Sequence, residues 1–183
     1  MKANVMKHPV LLLPFLLFII SSCQNKEEDI IKASRKEVLP VETGRDVKIM
    51  YSDSFQLKAI LQAPLMERFT GDNPHLLMKD GVKLQFYNKN KKVTSSLTAR
   101  WAISREQEKI MEAKNNVVVV NEKNEMLNTE HLIWDERTKR IRTDAFAKIT
   151  TSDEVIFGEG LEANEDFSWY RILKVKGTIN VKK

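Results

Sequence analysis

A run of short strands and charged turns without any proline or glycine, residues 97–151, constrains the fold of this chain most strongly. When the run is shifted along itself by 31 positions, Ile103 falls on Trp134 and Ile110 falls on Ile141. A repeat of this length that is built only from hairpins predicts stacked antiparallel strands, as in a solenoid or a jelly roll.

Each copy of the repeat consists of a strand, a charged turn and a second strand. The two turns are predicted at residues 105–109 and 135–139, and a third, looser copy follows at residues 155–163. Residues 117–120 are all valine, which predicts a central strand that is covered on both faces. The repeat therefore indicates a sheet structure whose middle lies in this part of the chain.

Before the repeat, the pattern predicts a hairpin with strands at residues 47–51 and 55–62 around a turn at residues 52–54. Pro64 is expected to interrupt this hairpin, because proline cannot donate to a sheet ladder. Residues 65–69 are expected to cross irregularly to the next strand. No segment shows the period of a long amphipathic helix, so the sequence predicts an all-β chain.

Alternation of side chains assigns one face of each predicted strand to the interior, since successive residues of a strand point to opposite faces. The strand that begins the repeat is expected to place Leu97, Ala99, Trp101 and Ile103 on one face. The other residues expected to share such a face with their strand neighbours are Val82, Leu84, Phe86, Ile141, Thr143, Ala145, Ala147, Ile149, Leu173, Val175, Gly177, Ile179 and Val181.

Composition excludes two classes of protein. The 183 residues contain one cysteine, Cys23, so an intrachain disulfide framework is ruled out. The formal net charge is +5, but the basic residues are interspersed with acidic ones along the chain. A nucleic-acid-binding protein would show a clustered basic face, so no nucleic-acid partner is expected.

The N-terminus has the layout of a bacterial export signal, with basic residues followed by an apolar core over residues 10–20. That core is too short for a mature membrane span, which needs roughly 20 residues. The sequence Ile20-Ser21-Ser22-Cys23 matches the lipobox at which a lipoprotein is cleaved and its cysteine acylated. We expect a signal peptide at residues 1–22, a lipidated tether at residues 23–44 and a folded domain at residues 45–183.

The residues that could carry chemistry do not form a convincing catalytic set. His75 is expected in a turn and His131 alone in a strand, without a second ligand at metal-binding spacing. Glu130, Asp135 and Glu159 could in principle supply the carboxylate pair of a glycosidase, although charged strand edges explain them as well. No catalytic residue, metal or cofactor is expected. Gly158-Glu159-Gly160 indicates a bulge or a close backbone approach within a strand.

The expected inner faces mix large and small side chains, and this pattern leaves two interpretations open. Two packed sheets stand about 10 Å apart, so small residues on facing strands could leave a slot for an acyl chain. The same small residues could instead allow the two sheets to close tightly. The spacing of these residues alone favours tight closure of the two sheets over a slot.

Several stretches in series resemble the LptC family of lipopolysaccharide export proteins, in particular its lipoprotein-type members from Bacteroidetes-like bacteria. The stretches are YSDS, LQAPLMERF, MKDGVKLQFYN, NVVVVNEKNEMLNTEHLIWDE and GEGLEANEDFS. The resemblance implies a twisted, open β-jelly roll of two antiparallel sheets, as in LptC, LptA and OstA. It favours the acyl-chain slot.

The resemblance also implies a function and partners. The protein would accept lipopolysaccharide from an inner-membrane ABC transporter and pass it to an LptA-like periplasmic bridge protein. It would lie in the periplasm, anchored by lipid at Cys23, with the inner membrane as the expected location. The groove candidates are Leu84, Phe86, Leu97, Ala99, Trp101, Ile103, Ile141, Ala145, Ile149, Val175 and Ile179. The candidates for partner-binding edges are Val47, Ile49, Tyr51, Leu173, Val175 and Ile179.

Two alternatives remain at this stage. The first is a structural or glycan-binding cell-envelope lipoprotein, in which Trp134, Trp169 and Tyr170 would stack on sugar rings. The second is a hydrolase that uses Glu130 and Glu159.

Overall fold

The computed structural model describes residues 39–181, and all of its secondary structure is antiparallel β-sheet. The expectations for the signal peptide, for Cys23 and for most of the tether lie outside the described residues. The strands are β1 Glu42–Asp53, β2 Gln56–Phe69, β3 His75–Met78, β4 Val82–Tyr87, β5 Val93–Ala99, β6 Trp101–Arg105, β7 Ile110–Asn121, β8 Met126–Asp135, β9 Arg140–Thr150, β10 Glu154–Asn164 and β11 Tyr170–Asn180.

The strands form two layers, and the long strands pass from one layer into the other. The first part of β2 pairs with β4 and its last residues pair with β3. In the same way, the start of β7 pairs with β6 and its end pairs with β5. We call the layer that contains β4 and β5 the first layer and the layer that contains β3 and β6 the second. This arrangement confirms the predicted all-β, jelly-roll-like architecture.

A line of irregular positions marks where the chain passes from one layer to the other; we call it the hinge line. Asp46, Asn115 and Asn116 have positive φ angles there, of 50°, 64° and 54°. Arg100 separates β5 from β6, and its backbone N–H donates to the carbonyl of Asn115 at 3.0 Å. A bulge bends and twists a strand, so this series folds the sheet into a V.

Pro64 lies on the hinge line and does not interrupt β2, contrary to the sequence-based expectation. Gln62 is the last residue of β2 paired with β4, and Glu67 is the first paired with β3. On β1, which pairs with the other edge of β2, Arg45 lies opposite Leu65 and Val47 lies opposite Ala63. Asp46, between them, has no ladder partner. Because no ladder bond is needed from the nitrogen of Pro64, proline is tolerated in the middle of this strand.

The interior between the two layers is a single apolar core. The largest side chains with almost no exposed surface are Phe167, Leu61, Met78, Leu84, Leu127, Leu132, Ile141, Ile149 and Leu161. The turn between β10 and β11 closes one end, since Asn121 Nδ2 donates to the carbonyl of Phe167 at 3.0 Å. Ser95 Oγ donates to the carbonyl of Glu165 at 3.2 Å and fixes the same turn.

The predicted faces hold for most strands and fail at the hinge line. Leu97 and Ala99 point inward, but β6 places Ala102 and Ser104 inward, opposite Ala113 and Met111. The expectation that Trp101 and Ile103 share the face of Leu97 is therefore wrong. The corner at Arg100 reverses the alternation, and Lys114 lies over the Trp101 ring on the outside at 5.2 Å.

A similar correction applies to β11, which was expected to show one continuous apolar face. Its register shifts between Val175, which lies opposite Gly158, and Gly177, which lies opposite Phe157. Val175 and Ile179 are 59% and 58% exposed. A bulge at this point therefore separates the faces of the two residues, and neither is buried in the core.

Both ends of the sheet are open. Among the described residues, β1 is hydrogen-bonded only to β2, and β11 is hydrogen-bonded only to β10. Edge strands of this kind present unpaired N–H and C=O groups to any further strand. Within residues 39–181, no helix is long and apolar enough to cross a membrane.

Candidate functional site

The two layers are open on the side of the V that faces away from the hinge line; we call this opening the mouth. Its cavity has a volume of about 380 Å³. The hairpin turns β1–β2, β4–β5, β8–β9 and β10–β11 all contribute to it. Its apolar lining comes from Tyr51, Ala59 and Phe86 of the first layer and Trp134 of the second.

Phe86 and Trp134 meet across the mouth, edge to face, with their ring centroids 5.1 Å apart. Phe86 is 7% exposed and continues the inward row of Val82 and Leu84. On β8, Trp134 is paired with Met111 of β7 on one side and with Ile141 of β9 on the other. Both of these neighbours point into the core. The aromatic pair is thus a contact between the layers at the boundary between the core and the mouth.

Trp134 also carries a buried polar group that has no hydrogen-bond partner among the described residues, its indole Nε1–H. An unsatisfied buried donor costs roughly 1–3 kcal/mol. The unsatisfied group belongs to a side chain that lines the mouth. An oxygen atom placed beside the ring would relieve this cost.

The rim of the mouth is charged and carries more acidic than basic groups. Its acids are Asp53, Glu136, Glu165 and Asp166, and its bases are Lys58 and Lys139. Burial, followed by the charges of Glu136 and Glu106, raises the pKa of the Tyr51 hydroxyl. The Tyr51 side chain is therefore a neutral hydrogen-bond donor at physiological pH.

Glu136 offers a test of the electrostatics of this rim. Burial, reinforced by Glu106 and Glu165 and opposed by Lys109, raises the pKa of its carboxyl. A raised carboxyl pKa means that the charged form destabilises the fold, and the cost disappears as pH falls below the ordinary value of 4.5. Because solvent screens this half-exposed carboxyl, we expect E136Q to increase the free energy of unfolding at pH 7 by no more than about 0.5 kcal/mol, with no gain at pH 3.5.

Urea unfolding of the two proteins at both pH values measures this difference. E122Q, in the exposed β7–β8 turn, is the matched control and should change stability by less than half as much at either pH. A loss of stability in E136Q at pH 7, or the same gain at both pH values, would contradict the assignment.

The structure distributes the sequence-predicted groove residues over three environments. Leu84, Phe86, Leu97, Ala99, Ile141 and Ile149 lie buried between the layers, and Ala145 is half-buried. Trp101 and Ile103 lie on the face of β6 opposite Ala102 and Ser104, where Trp101 is half-buried and Ile103 is only 8% exposed. Val175 and Ile179 are exposed on β11. Tyr51, Ala59 and Trp134 line the mouth but were not among the groove candidates.

The edge candidates lie on the two open strands. Val47, Ile49 and Tyr51 belong to β1, where they are half-buried and pack against the core. Leu173 is 48% exposed on β11. The position of Tyr51 connects the β1 edge with the mouth.

The carboxylates considered for a hydrolase are committed to structural contacts. Glu130 accepts a hydrogen bond from the backbone N–H of Asn116 at 3.0 Å and supports the bulge of β7. Asp135 Oδ1 accepts from the N–H groups of Arg137 and Thr138 in the β8–β9 turn. Glu159 pairs with Lys176. Among residues 39–181, no cluster of histidine, cysteine or acidic residues is suited to hold a metal.

The two histidines within residues 39–181 occupy strands. His131 lies half-buried in β8, as expected, with Nε2 2.9 Å from Glu112 Oε1. His75 begins β3 and stacks on Phe69 with ring centroids 4.7 Å apart, so its assignment to a turn is wrong. Neither histidine contributes to the mouth.

A comparison with protein-family models matches residues 10–180 to a family described as lipopolysaccharide-assembly, LptC-related. The chain belongs to the LptC family. As a member, it is a periplasmic cell-envelope component of lipopolysaccharide transport. The LptC family is not a known enzyme family. A search of curated proteins finds no significant match.

Proposed function

We propose that this LptC-family protein accepts lipopolysaccharide from an inner-membrane ABC transporter and passes it to an LptA-like bridge protein. The observation that carries the proposal is an apolar interior between two layers, open at a mouth across which Phe86 and Trp134 meet. Acyl chains enter there and spread the two layers, while the saccharide stays outside. No covalent chemistry is needed for this transfer.

The energetics favour a shielded route for the acyl chains. Each methylene that leaves an apolar environment for water costs about 0.8 kcal/mol. A lipid with several chains therefore cannot cross the periplasm without a protein surface that covers them. The core side chains behind Phe86 supply such a surface once the layers separate at the mouth.

The open strands support docking on both sides by β-strand addition, in which backbone hydrogen bonds extend one sheet into the next. The β1 edge is proposed to meet the transporter and the β11 edge to meet the bridge protein. Exposed apolar residues on β11, with Lys174 and Lys176 between them, fit an edge that a partner covers. Without a partner, such an edge would favour aggregation.

Transport is tested in cells in which the chain can be depleted. We expect newly made lipopolysaccharide to remain in the inner membrane after depletion, and re-expression of the wild-type chain to restore its delivery to the outer membrane. Normal delivery after complete depletion would contradict the function. Metabolic labelling followed by membrane fractionation measures the distribution.

The lipid anchor at Cys23 is a separate proposal that rests on the lipobox. C23A should lose all incorporation of labelled palmitate and should be released from membranes, because a diacylated cysteine is the anchor that holds the mature chain. S21A, which keeps a small residue near the cleavage site, is the control and should be labelled normally. Labelling of C23A at the wild-type level would contradict this proposal.

A further inference from the structure

A second cavity, of about 550 Å³, lies at the second layer's end of β9, β10 and β11. Arg140, Arg142 and Arg171 contribute to its lining together with the exposed ring of Trp169. Arg140 and Arg142 flank the inward-pointing Ile141 in β9 and therefore lie on the outer face. The cavity is thus separated from the mouth by the sheet itself.

Cross-strand pairing brings these residues together in two rows. Arg142 and Arg171 both lie opposite Glu162, one on each side of β10. Arg140 lies opposite Asn164 in the next row. Asn164 holds Trp169 in place, because its Oδ1 accepts a hydrogen bond from the backbone N–H of Trp169 at 2.8 Å.

The acidic residues of the cavity are already compensated. Glu162 Oε2 accepts from Arg171 Nη2 at 2.9 Å, and Asp135 caps its turn and lies 3.9 Å from Arg137 Nε. Within residues 39–181, neither Arg140 nor Arg142 has a carboxylate at salt-bridge distance. Two guanidinium groups on one face therefore remain free to bind an anion.

Trp169 adds an apolar surface beside the free guanidinium groups. Its side chain is 45% exposed, and the Arg140 guanidinium carbon lies 5.3 Å from its ring centroid. This cation–π contact orients Arg140 along the cavity wall. The guanidinium fork matches phosphate and carboxylate groups with two parallel hydrogen bonds.

We propose that this cavity binds an anionic saccharide, a sugar that carries a phosphate or a carboxylate. Arg140 and Arg142 bind the anionic group, and the ring of Trp169 packs against the sugar. The volume lies in the range of small-molecule sites, about 300–1,000 Å³, and is far larger than an inorganic phosphate needs. The site is independent of the acyl-chain groove, and lipopolysaccharide or a free sugar could each supply the ligand.

The test uses the full chain, labelled with ¹⁵N and held in detergent micelles, and follows the Trp169 indole N–H signal by NMR. Titration with glucose 1-phosphate should shift this signal saturably, whereas neutral glucose should not. R140Q/R142Q should weaken binding at least about tenfold, and W169A should weaken it as measured by calorimetry. R45Q/R100Q, which removes two exposed arginines elsewhere, should bind as tightly as the wild type.

Intact lipopolysaccharide in place of the sugar phosphate distinguishes the two sources of ligand. A shift with lipopolysaccharide that is lost after its dephosphorylation supports the site and assigns the ligand to the lipid. The proposal is overturned if no anionic saccharide shifts the signal, or if R140Q/R142Q binds normally. It is also overturned if inorganic phosphate or a polyglutamate peptide binds as tightly as glucose 1-phosphate. None of these outcomes bears on acyl-chain binding at the mouth.

Discussion

G158A is expected to lower the free energy of unfolding by about 2–3 kcal/mol and to loosen β11 from the sheet. A β-carbon on Gly158 would lie 2.1 Å from the carbonyl oxygen of Lys174 and 2.8 Å from Ile172 Cγ2. The carbonyl belongs to the backbone of the neighbouring strand and cannot rotate away. The strand β11 must therefore move, and it is held on one side only.

Urea unfolding measures the loss of stability, and hydrogen exchange of the β11 amides measures the loosening. G177A is the matched control on β11, where an added β-carbon would meet the Phe157 ring at 2.6 Å. That ring is a side chain that can turn aside, so the expected cost is less than about 1 kcal/mol. Equal losses of stability in the two variants would show that the close approach of the β11 backbone is not what requires glycine at residue 158.

F86A is expected to lower the free energy of unfolding by about 3 kcal/mol, with a similar loss for W134A. Each substitution removes a large side chain from the contact that closes the mouth and leaves a cavity behind the rim. F146A is the control, because Phe146 is 52% exposed on the outer face, where its ring lies 6.2 Å from that of Phe157. Its cost should stay below about 1 kcal/mol.

The double variant F86A/W134A measures the contact itself. Because the two rings meet edge to face, the loss of stability in the double variant should be smaller than the sum of the two single losses by about 0.5–1.5 kcal/mol. Additive losses would mean that the rings stabilise the two layers separately. In that case the aromatic pair would not be the closure between the core and the mouth.

The strand content of the fold could be predicted from alternation, but the period of the repeat was predicted one residue too long. In the structure, equivalent positions of the repeat lie 30 residues apart. Lys109 and Lys139, for example, end matching turns and have φ angles of 58° and 54°. Shifting the sequence by 31 residues instead paired Ile103, on the outer face of β6, with Trp134, on the inner face of β8. A slip of one residue exchanges the two faces of a strand, so the 31-residue shift aligned residues from opposite faces.

The corners of the fold could not be predicted from local patterns. Arg100 reverses the alternation because its N–H bonds to Asn115, which lies across the hinge line in β7. No glycine or proline marks this corner, and the partner becomes apparent only after β7 has paired with both layers. Pro64, in contrast, suggested an interruption of the strand that the structure does not have. Its missing N–H is harmless because Pro64 lies between the residues of β2 that pair with β4 and those that pair with β3.

The mouth could be predicted only in part for a related reason. Phe86 was identified by alternation along its own strand. Tyr51 and Trp134 each precede a hairpin turn, as Phe86 does, and this shared position is a signal that sequence reasoning could have used. Their convergence still depends on the V shape, which brings the ends of four hairpins together.

Acyl-chain entry at the mouth is tested most directly by site-specific photocrosslinking to lipopolysaccharide. A photoreactive phenylalanine derivative at Phe86 or Trp134 reports on the space between the layers, and the same residue at Lys83 or Lys148 reports on the outer face. We predict that the two inner positions capture lipopolysaccharide through its acyl chains and that the two outer positions do not. Capture at Lys83 and Lys148 without capture at Phe86 and Trp134 would contradict the proposal that lipid travels between the two layers.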